Sequence, residues 1–125
     1  MWRKIIFISI LLSFTTTFTS FTFASDVVTV HKYKDGWGKS HSCVYHKHNT
    51  KRKGNIYEVQ LDRIHPEKVV REWIRMNCNT KKYSIGKIKH LDTGYTADFG
   101  YYYWYSYDIA KADLCTGRLI DLVCK

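Results

Sequence analysis

The spacing of apolar positions changes several times along this chain, and each change marks an element. The run Ile5-Ile6-Phe7-Ile8-Ser9-Ile10-Leu11-Leu12 is almost unbroken and follows Arg3 and Lys4. Val28 and Val30, with Lys32 in phase, alternate with Thr29 and His31, the period of two expected of a half-buried strand. Asp35-Gly36-Trp37-Gly38 predicts a turn, His41 to His48 a second short strand, and the tract Lys47 to Gly54 an exposed basic loop. Tyr57, Val59 and Leu61 alternate with Glu58, Gln60 and Asp62, the clearest strand pattern in the chain.

Beyond Pro66 the stretch from Val69 to Cys78 satisfies two periods. Val69, Val70, Trp73 and Ile74 fit a helix, whereas Val70, Ile74, Met76 and Cys78 share one face of a strand that Glu72 interrupts. Lys82 to His90 carries Tyr83, Ile85 and Ile88 and reads as a strand, with Gly86 marking a bulge or a close backbone approach. Thr93-Gly94 marks a turn, and aromatics dominate from Tyr95 to Tyr107. Strand alternation there sets Tyr101, Tyr103, Tyr105 and Tyr107 toward the core and Tyr102 and Trp104 on the opposite face. From Asp108 to Val123, the residues Ile109, Ala112, Cys115, Leu119, Ile120 and Val123 fall on one helical arc, with Lys111, Arg118 and Asp121 elsewhere. Several strands followed by one helical pattern predict an α+β domain: a small antiparallel sheet with one C-terminal helix packed on it.

The first apolar run changes the picture of the whole chain. Arg3 and Lys4, the apolar run and the small residue ending Thr22-Phe23-Ala24 have the form of a secretory signal, which predicts residues 1–24 as a signal peptide cut after Ala24. The apolar part is shorter than the roughly 20 residues a membrane-spanning helix needs, and no cysteine near the cut offers an acyl anchor, so no membrane anchor is expected after cleavage. Residues 25–125 then form a single exported domain, with no Pro- or Gly-rich linker dividing them. Its formal charge is +7, the whole-chain +9 less Arg3 and Lys4. Such an excess favours acidic partners without choosing among them.

Four cysteines, Cys43, Cys78, Cys115 and Cys124, all follow the expected cut. An even count in an oxidising compartment predicts two disulfides. On one helix Cys115 and Cys124 point to opposite sides and stand about 13 Å apart at 1.5 Å per residue, beyond the roughly 7 Å that a disulfide spans between Cα atoms. Unless Gly117 breaks the helix between them, each needs a partner elsewhere. A zinc site built from Cys43 with His41, His46 and His48 is the competing reading, but the cysteines lack a C-x-x-C spacing and no metal or other cofactor is expected.

The segment Arg71-Glu72-Trp73-Ile74-Arg75-Met76-Asn77-Cys78 followed by Tyr83, and the segments Trp104-Tyr105-Ser106-Tyr107-Asp108-Ile109 and Leu119-Ile120-Asp121-Leu122-Val123-Cys124, make the C-terminal half resemble the bacterial surface-adhesin E family. These are small exported proteins with an antiparallel sheet, a packed helix and a Cys-to-Cys bridge. The resemblance implies a strand over Val70 to Cys78 and a bridge from Cys78 to Cys124, leaving Cys43 for Cys115. It also implies an adhesion role.

Candidate chemistry is sparse. No G-x-S-x-G, phosphate loop or Cys-His nucleophile pattern is present, and the expectation is a protein that is not an enzyme. A secreted basic nuclease using two of His31, His41, His65 and His90 as acid and base is an alternative, with Glu58, Asp62 and Glu72 as available carboxylates. The aromatic tract offers the large, rigid side chains that dominate recognition surfaces. Tyr102 and Trp104, together with Lys51, Arg52 and Lys53, are therefore the ligand-binding candidates. Aromatics beside cations also suit single-stranded nucleic acid, but an exported protein seldom meets it, and an acidic protein or glycan ligand is favoured. A periplasmic inhibitor or immunity protein is the second non-enzymatic reading.

Overall fold

The computed structural model describes residues 26–125, and the predicted signal segment lies outside the described residues. Strands β1 (Val27–Lys34), β2 (Ser40–His46), β3 (Lys51–Lys53), β4 (Ile56–Ile64), β5 (Val69–Asn77), β6 (Lys82–His90) and β7 (Thr96–Asp98) form one antiparallel sheet. The spatial order is β1-β2-β4-β5-β6-β7, with β3 lying beside β4 beyond the end of β2. Two short helices, α1 (Tyr107–Ala112) and α2 (Leu114–Val123), close the chain.

The pleat explains which residues are buried. Register sets Val59 opposite Ile74, Tyr57 opposite Met76, Ile74 opposite Ile85 and Met76 opposite Tyr83, so these residues share one face. Val59, Leu61, Ile74, Met76 and Tyr83 are buried there with Ala110, Leu119 and Ile120 of the helices. The ambiguous stretch from Val69 is a strand because β4 and β6 flank it on both sides, which satisfies its backbone groups without a helix. Glu72, which interrupts the apolar pattern, is buried on the core face and receives a hydrogen bond from Arg63 Nε.

Two bulges adjust the faces. The β1–β2 register shifts between Thr29 and His31, so Val30 is the extra residue. His31 then lies opposite Cys43, and Lys32 moves to the other face opposite Ser42, out of phase with Val28. The β5–β6 register shifts after Trp73, where Lys87 and Ile85 pair with consecutive residues and Gly86 is left over. Gly86 is also where the Tyr101 ring lies against the backbone, and any Cβ would collide with that ring. Both readings of Gly86 from the pattern are thus realised at one residue.

Three local expectations are corrected. The basic tract is not wholly loop: after a 3-10 turn over Lys47–Asn49, residues Lys51, Arg52 and Lys53 pair with Glu58, Tyr57 and Ile56 as β3. The C-terminal helix is two helices, because Asp113 is extended (φ −108°, ψ 107°) and its carboxylate caps α2 by accepting the Cys115 N–H. Gly117 does not break α2; a Cβ there would lie 3.1 Å from the Ala110 carbonyl oxygen, so glycine lets the two helices pack closely. Finally, residues 101–104 are not strand. Tyr101 takes a left-handed φ of 59° after Gly100 at 63°, which interrupts the extended backbone that alternation requires.

Disulfides join Cys43 to Cys115 (Cα–Cα 6.1 Å) and Cys78 to Cys124 (Cα–Cα 5.1 Å), and no cysteine is left unpaired. The first ties β2 to the start of α2, the second ties the end of β5 to its finish. Arg63 adds a third tie. Its guanidinium donates to Glu72 on β5 and to Asp113 and Thr116 at the helix junction. Burial opposes the guanidinium charge, but the hydrogen bond to Asp113 and the charges of Glu72 and Asp113 outweigh it and raise its pKa. Burial pushes Glu72 up against the pull of Arg63.

Two predictions concern stability. Cys78 and Cys124 are 46 positions apart, and chain-entropy reasoning for such a loop gives about 4 kcal/mol. A Cys78→Ser/Cys124→Ser variant is expected to melt many degrees below the parent; a melt within a degree or two in calorimetry would contradict this. The second concerns acid. At Asp62 and Asp113 burial acts to raise the pKa, but Arg71 and His46 at the first, and Arg63 at the second, outweigh it and leave both lowered. Depressed folded-state values stabilise the fold above the unfolded aspartate range, and that contribution is lost as pH falls through the folded values. Urea midpoints should therefore drop as pH is lowered below about 4, and Asp62→Asn should be less stable at neutral pH but flatter over that acid range.

Candidate functional site

The face of the sheet opposite the helices is polar and basic. Register brings Glu58 opposite Arg75, Gln60 opposite Trp73 and Asp62 opposite Arg71. Arg75 donates to Glu58 at 3.0 Å, and Arg71 donates to both oxygens of Asp62 at 2.8 and 2.9 Å. His46 Nε2 also contacts Asp62, at 2.8 Å. The carboxylates Glu58, Asp62 and Glu72 are thus each matched by an arginine, as ties between neighbouring strands. Lys87 lies over the Trp73 ring at 4.3 Å and Arg75 over the Tyr101 ring at 3.9 Å.

A cavity of about 400 Å³ opens at the β3 end of this face, lined by Lys51, Arg52, Lys53, Ile56, Glu58, Arg75 and Trp104. A second of about 280 Å³ shares Lys51 and Glu58 with it and continues past His48, Asn49, Gln60 and Trp73. Together they form a trough, with Trp104 lining the first part and Trp73 the second. Pairing with β4 sets Lys51 and Lys53 on this face opposite Glu58 and Ile56, whereas the Arg52 side chain turns toward the Tyr57 side, held by its Nε bond to the Gly54 carbonyl and by stacking over Tyr57 at 5.2 Å. Among the described residues no carboxylate forms an ion pair with Lys51, Arg52 or Lys53.

Trp104 reaches the trough because of what precedes it. The Phe99 and Gly100 N–H groups both bond the Gly86 carbonyl, Tyr101 N–H bonds Ile85, and Tyr105 pairs with Tyr83 through two backbone bonds. Tyr102, Tyr103 and Trp104 therefore form an excursion between two points of attachment to β6. Tyr102 is 82% exposed and Tyr103 71%, and the trough is lined by Trp104, not by Tyr102. Tyr103 instead lines a small cleft with Ile85, Ile88, Phe99 and Tyr105. The expected shared face of Tyr102 and Trp104 is replaced by divergence, for want of a strand to align them.

Tyr101 is a supporting member. Burial, aided by the Glu58 charge, pushes its phenol up to about 12, so it stays protonated and donates to Glu58 at 3.4 Å. Arg75, Trp73 and Tyr101 were not among the sequence candidates. Their signal was present: once Val69–Asn77 is a strand, Trp73 and Arg75 must face away from Ile74 and Met76.

The histidines disperse. His46 ends β2 on the open face, Cys43 lies in the core within a disulfide, and His48 is in the 3-10 turn beside Asp26 at 3.4 Å, so the zinc set of His41, Cys43, His46 and His48 is not assembled. His90 stacks edge-on against Tyr95. His41 and His65, by contrast, are in direct contact, Nδ1 to Nδ1 at 2.9 Å. Comparison of the chain with protein-family models, with curated proteins and with solved structures gives no match, so the trough, not kinship, carries the functional reading.

Proposed function

We propose that this chain is an exported, disulfide-stabilised binding protein that takes an acidic protein or glycan ligand in the trough between Lys51–Lys53 and Trp104. The observation that carries this reading is the cavity itself, which gathers residues about fifty positions apart in sequence into one basic and aromatic lining. Fixed cations supply long-range attraction and a half-exposed tryptophan supplies contact area. Two disulfides suit an oxidising compartment and a rigid scaffold, in keeping with the signal-like start of the sequence. An adhesin-like role at the cell surface follows from the family resemblance; an inhibitor or immunity role in the periplasm would use the same trough.

The nuclease alternative is less well supported by the geometry. Acid and base for phosphodiester cleavage need two imidazoles either side of a phosphate, whereas His41 and His65 touch each other and both His41 nitrogens are engaged.

The test is a protein and glycan array screen with residues 25–125, followed by kinetics on the strongest ligand. Replacing Lys51, Arg52 and Lys53 with Gln should lower the association rate at least about tenfold at low salt and flatten its salt dependence. Trp104→Ala should shorten the residence time by a similar factor, and Tyr102→Ala should do less. Unchanged kinetics in both the lysine–arginine and Trp104 variants would overturn the assignment of the trough. Fractionation with surface protease separates the adhesin from the periplasmic inhibitor.

A further inference from the structure

The turns at the two ends of the sheet differ in what they expose. At one end lie the turns over residues 35–39, 65–68 and 91–95, brought together by register: β2 opens beside the close of β4, and β5 opens beside the close of β6. Exposed at this end are Tyr33, Trp37, Ile64, Leu91 and Tyr95. The turns at the other end, over residues 47–50, 54–55 and 78–81, expose no large apolar side chain among the described residues, and the only aromatics near them belong to the excursion that serves the trough.

Trp37 is the extreme case. At 88% it is the most exposed large apolar side chain among the described residues, and it sits on a fixed turn. The Asp35 N–H bonds the Lys39 carbonyl and the Gly38 N–H bonds the Asp35 carbonyl. Asp35 Oδ1 accepts the N–H groups of Trp37 at 2.8 Å and Lys39 at 3.0 Å, and Gly38 takes the left-handed φ of 77° that the turn requires. These bonds hold the indole out in water ahead of any partner, so little ordering cost remains on docking.

The charge around it is mostly of one sign. Lys32, Lys34, Lys39 and Lys68 are exposed at this end, and among the described residues none of them forms an ion pair. Asp35 is taken by His41, which leaves Glu67 and Asp92 as the acidic residues of these turns. Between the hairpin and the β4–β5 turn lies an open hollow of about 670 Å³, walled by Lys32, Lys34 and Ser42 and by Tyr33, Ile64 and Pro66. Cations and apolar side chains thus line the same space.

That combination suits a bilayer better than a protein face. A protein interface gathers its apolar anchors into one core from which lysine is depleted, whereas here the apolar side chains stand on separate turns with lysines between them. Trp and Tyr settle at the level of lipid headgroups, and lysine stems lie along apolar surface while their charges reach the phosphates. A second copy of the chain is disfavoured, since like charges would meet. We propose that this end of the sheet docks on an anionic phospholipid bilayer, with Trp37 and Tyr33 entering the headgroup layer, the four lysines facing lipid phosphates and the hollow taking a headgroup. The contact is peripheral and reversible. Glu58 in the trough and Ile64 at this end stand on the same strand about 20 Å apart at the rise of a strand, so a docked chain keeps the trough clear of the bilayer. The docking surface does not depend on what the trough binds.

The experiment is co-sedimentation of residues 25–125, which hold every described element and both disulfides, with vesicles of phosphatidylcholine alone and of equal parts phosphatidylcholine and phosphatidylglycerol. Leaving out residues 1–24 keeps the first apolar run from binding lipid itself. Binding to the mixed vesicles should be at least about tenfold tighter than to phosphatidylcholine and should weaken with salt. It should carry a blue shift of tryptophan emission that Trp37→Phe lacks. Trp37→Ala should weaken partitioning at least about tenfold, and Lys32→Gln, Lys34→Gln and Lys39→Gln about fivefold each. These side chains are exposed, and Trp37→Ala keeps the N–H that Asp35 accepts, so thermal melts should match the parent's. Trp104→Ala, in the trough, should partition as the parent does, and excess glycerol phosphate should not displace the protein. No affinity for the mixed vesicles, equal affinity for both kinds, binding lost with Trp104→Ala but not with Trp37→Ala, or displacement by glycerol phosphate would each overturn the proposal. A protein captured through Trp37 by a chain without vesicle affinity would replace the bilayer with a protein partner.

Discussion

The Arg63 guanidinium is the contact on which the arrangement of sheet and helices depends. It leaves β4 one residue before the strand ends, meets the buried Glu72 on β5, and reaches Asp113 and Thr116 where α1 gives way to α2. Its cross-strand neighbour is Cys43, which is itself bonded to Cys115. A covalent tie from β2 and a charged one from its neighbour β4 thus hold the same helix start against the sheet. The charged tie is directional and leaves none of its partners as an isolated buried ion, the condition under which such a group is tolerated. Losing Arg63 would strand Glu72, so the cost lies in the orphaned carboxylate more than in the lost attraction.

With the helices committed to one face, the other is available for recognition. Its chemistry follows from the pleat: the residues that alternate with the core residues along the middle of β4 and β5 appear there, and they are Glu58, Gln60, Asp62, Arg71, Trp73 and Arg75. Most of that charge is internally matched. The unmatched cations lie at the β3 end, because β3 adds Lys51 and Lys53 to this face beside a strand that supplies only Glu58 to meet them, while Arg52 turns to the Tyr57 side. The excursion over Tyr102–Trp104 then brings an aromatic side chain to that same end. Gly86 makes this possible twice, as the unpaired residue of the β5–β6 bulge and as the seat of the Tyr101 ring.

The hairpin histidines show a different use of the same rules. A bulge of one residue in β1 moves Tyr33 onto the face of His41, and the tight turn at Asp35 brings a carboxylate within reach of a side chain six positions on. Neither contact has any bearing on the trough.

Much of the framework was legible without the structure. Period-two alternation at Tyr57, Val59 and Leu61 marks β4 because a half-buried strand admits no other pattern, and the punctuation at Asp35-Gly36 and Thr93-Gly94 follows from local turn chemistry. What alternation could not decide were quantities set by neighbours. Val69–Asn77 fits two periods until β4 and β6 supply partners; Asp113, not Gly117, breaks the final helix because Arg63 and an N-cap bond reward an extended residue there. Tyr101–Trp104 leaves the strand because Gly86, fifteen positions earlier, offers a ring-sized gap. Composition, compartment-type cysteine usage, the main strands and the basic and aromatic residue types were determined by the sequence by itself, since each depends on local order or on counts. Which aromatic meets the basic strand, and that His41 meets His65, were decided only by the tertiary structure, because distances between residues far apart in the chain are set by strand register and packing.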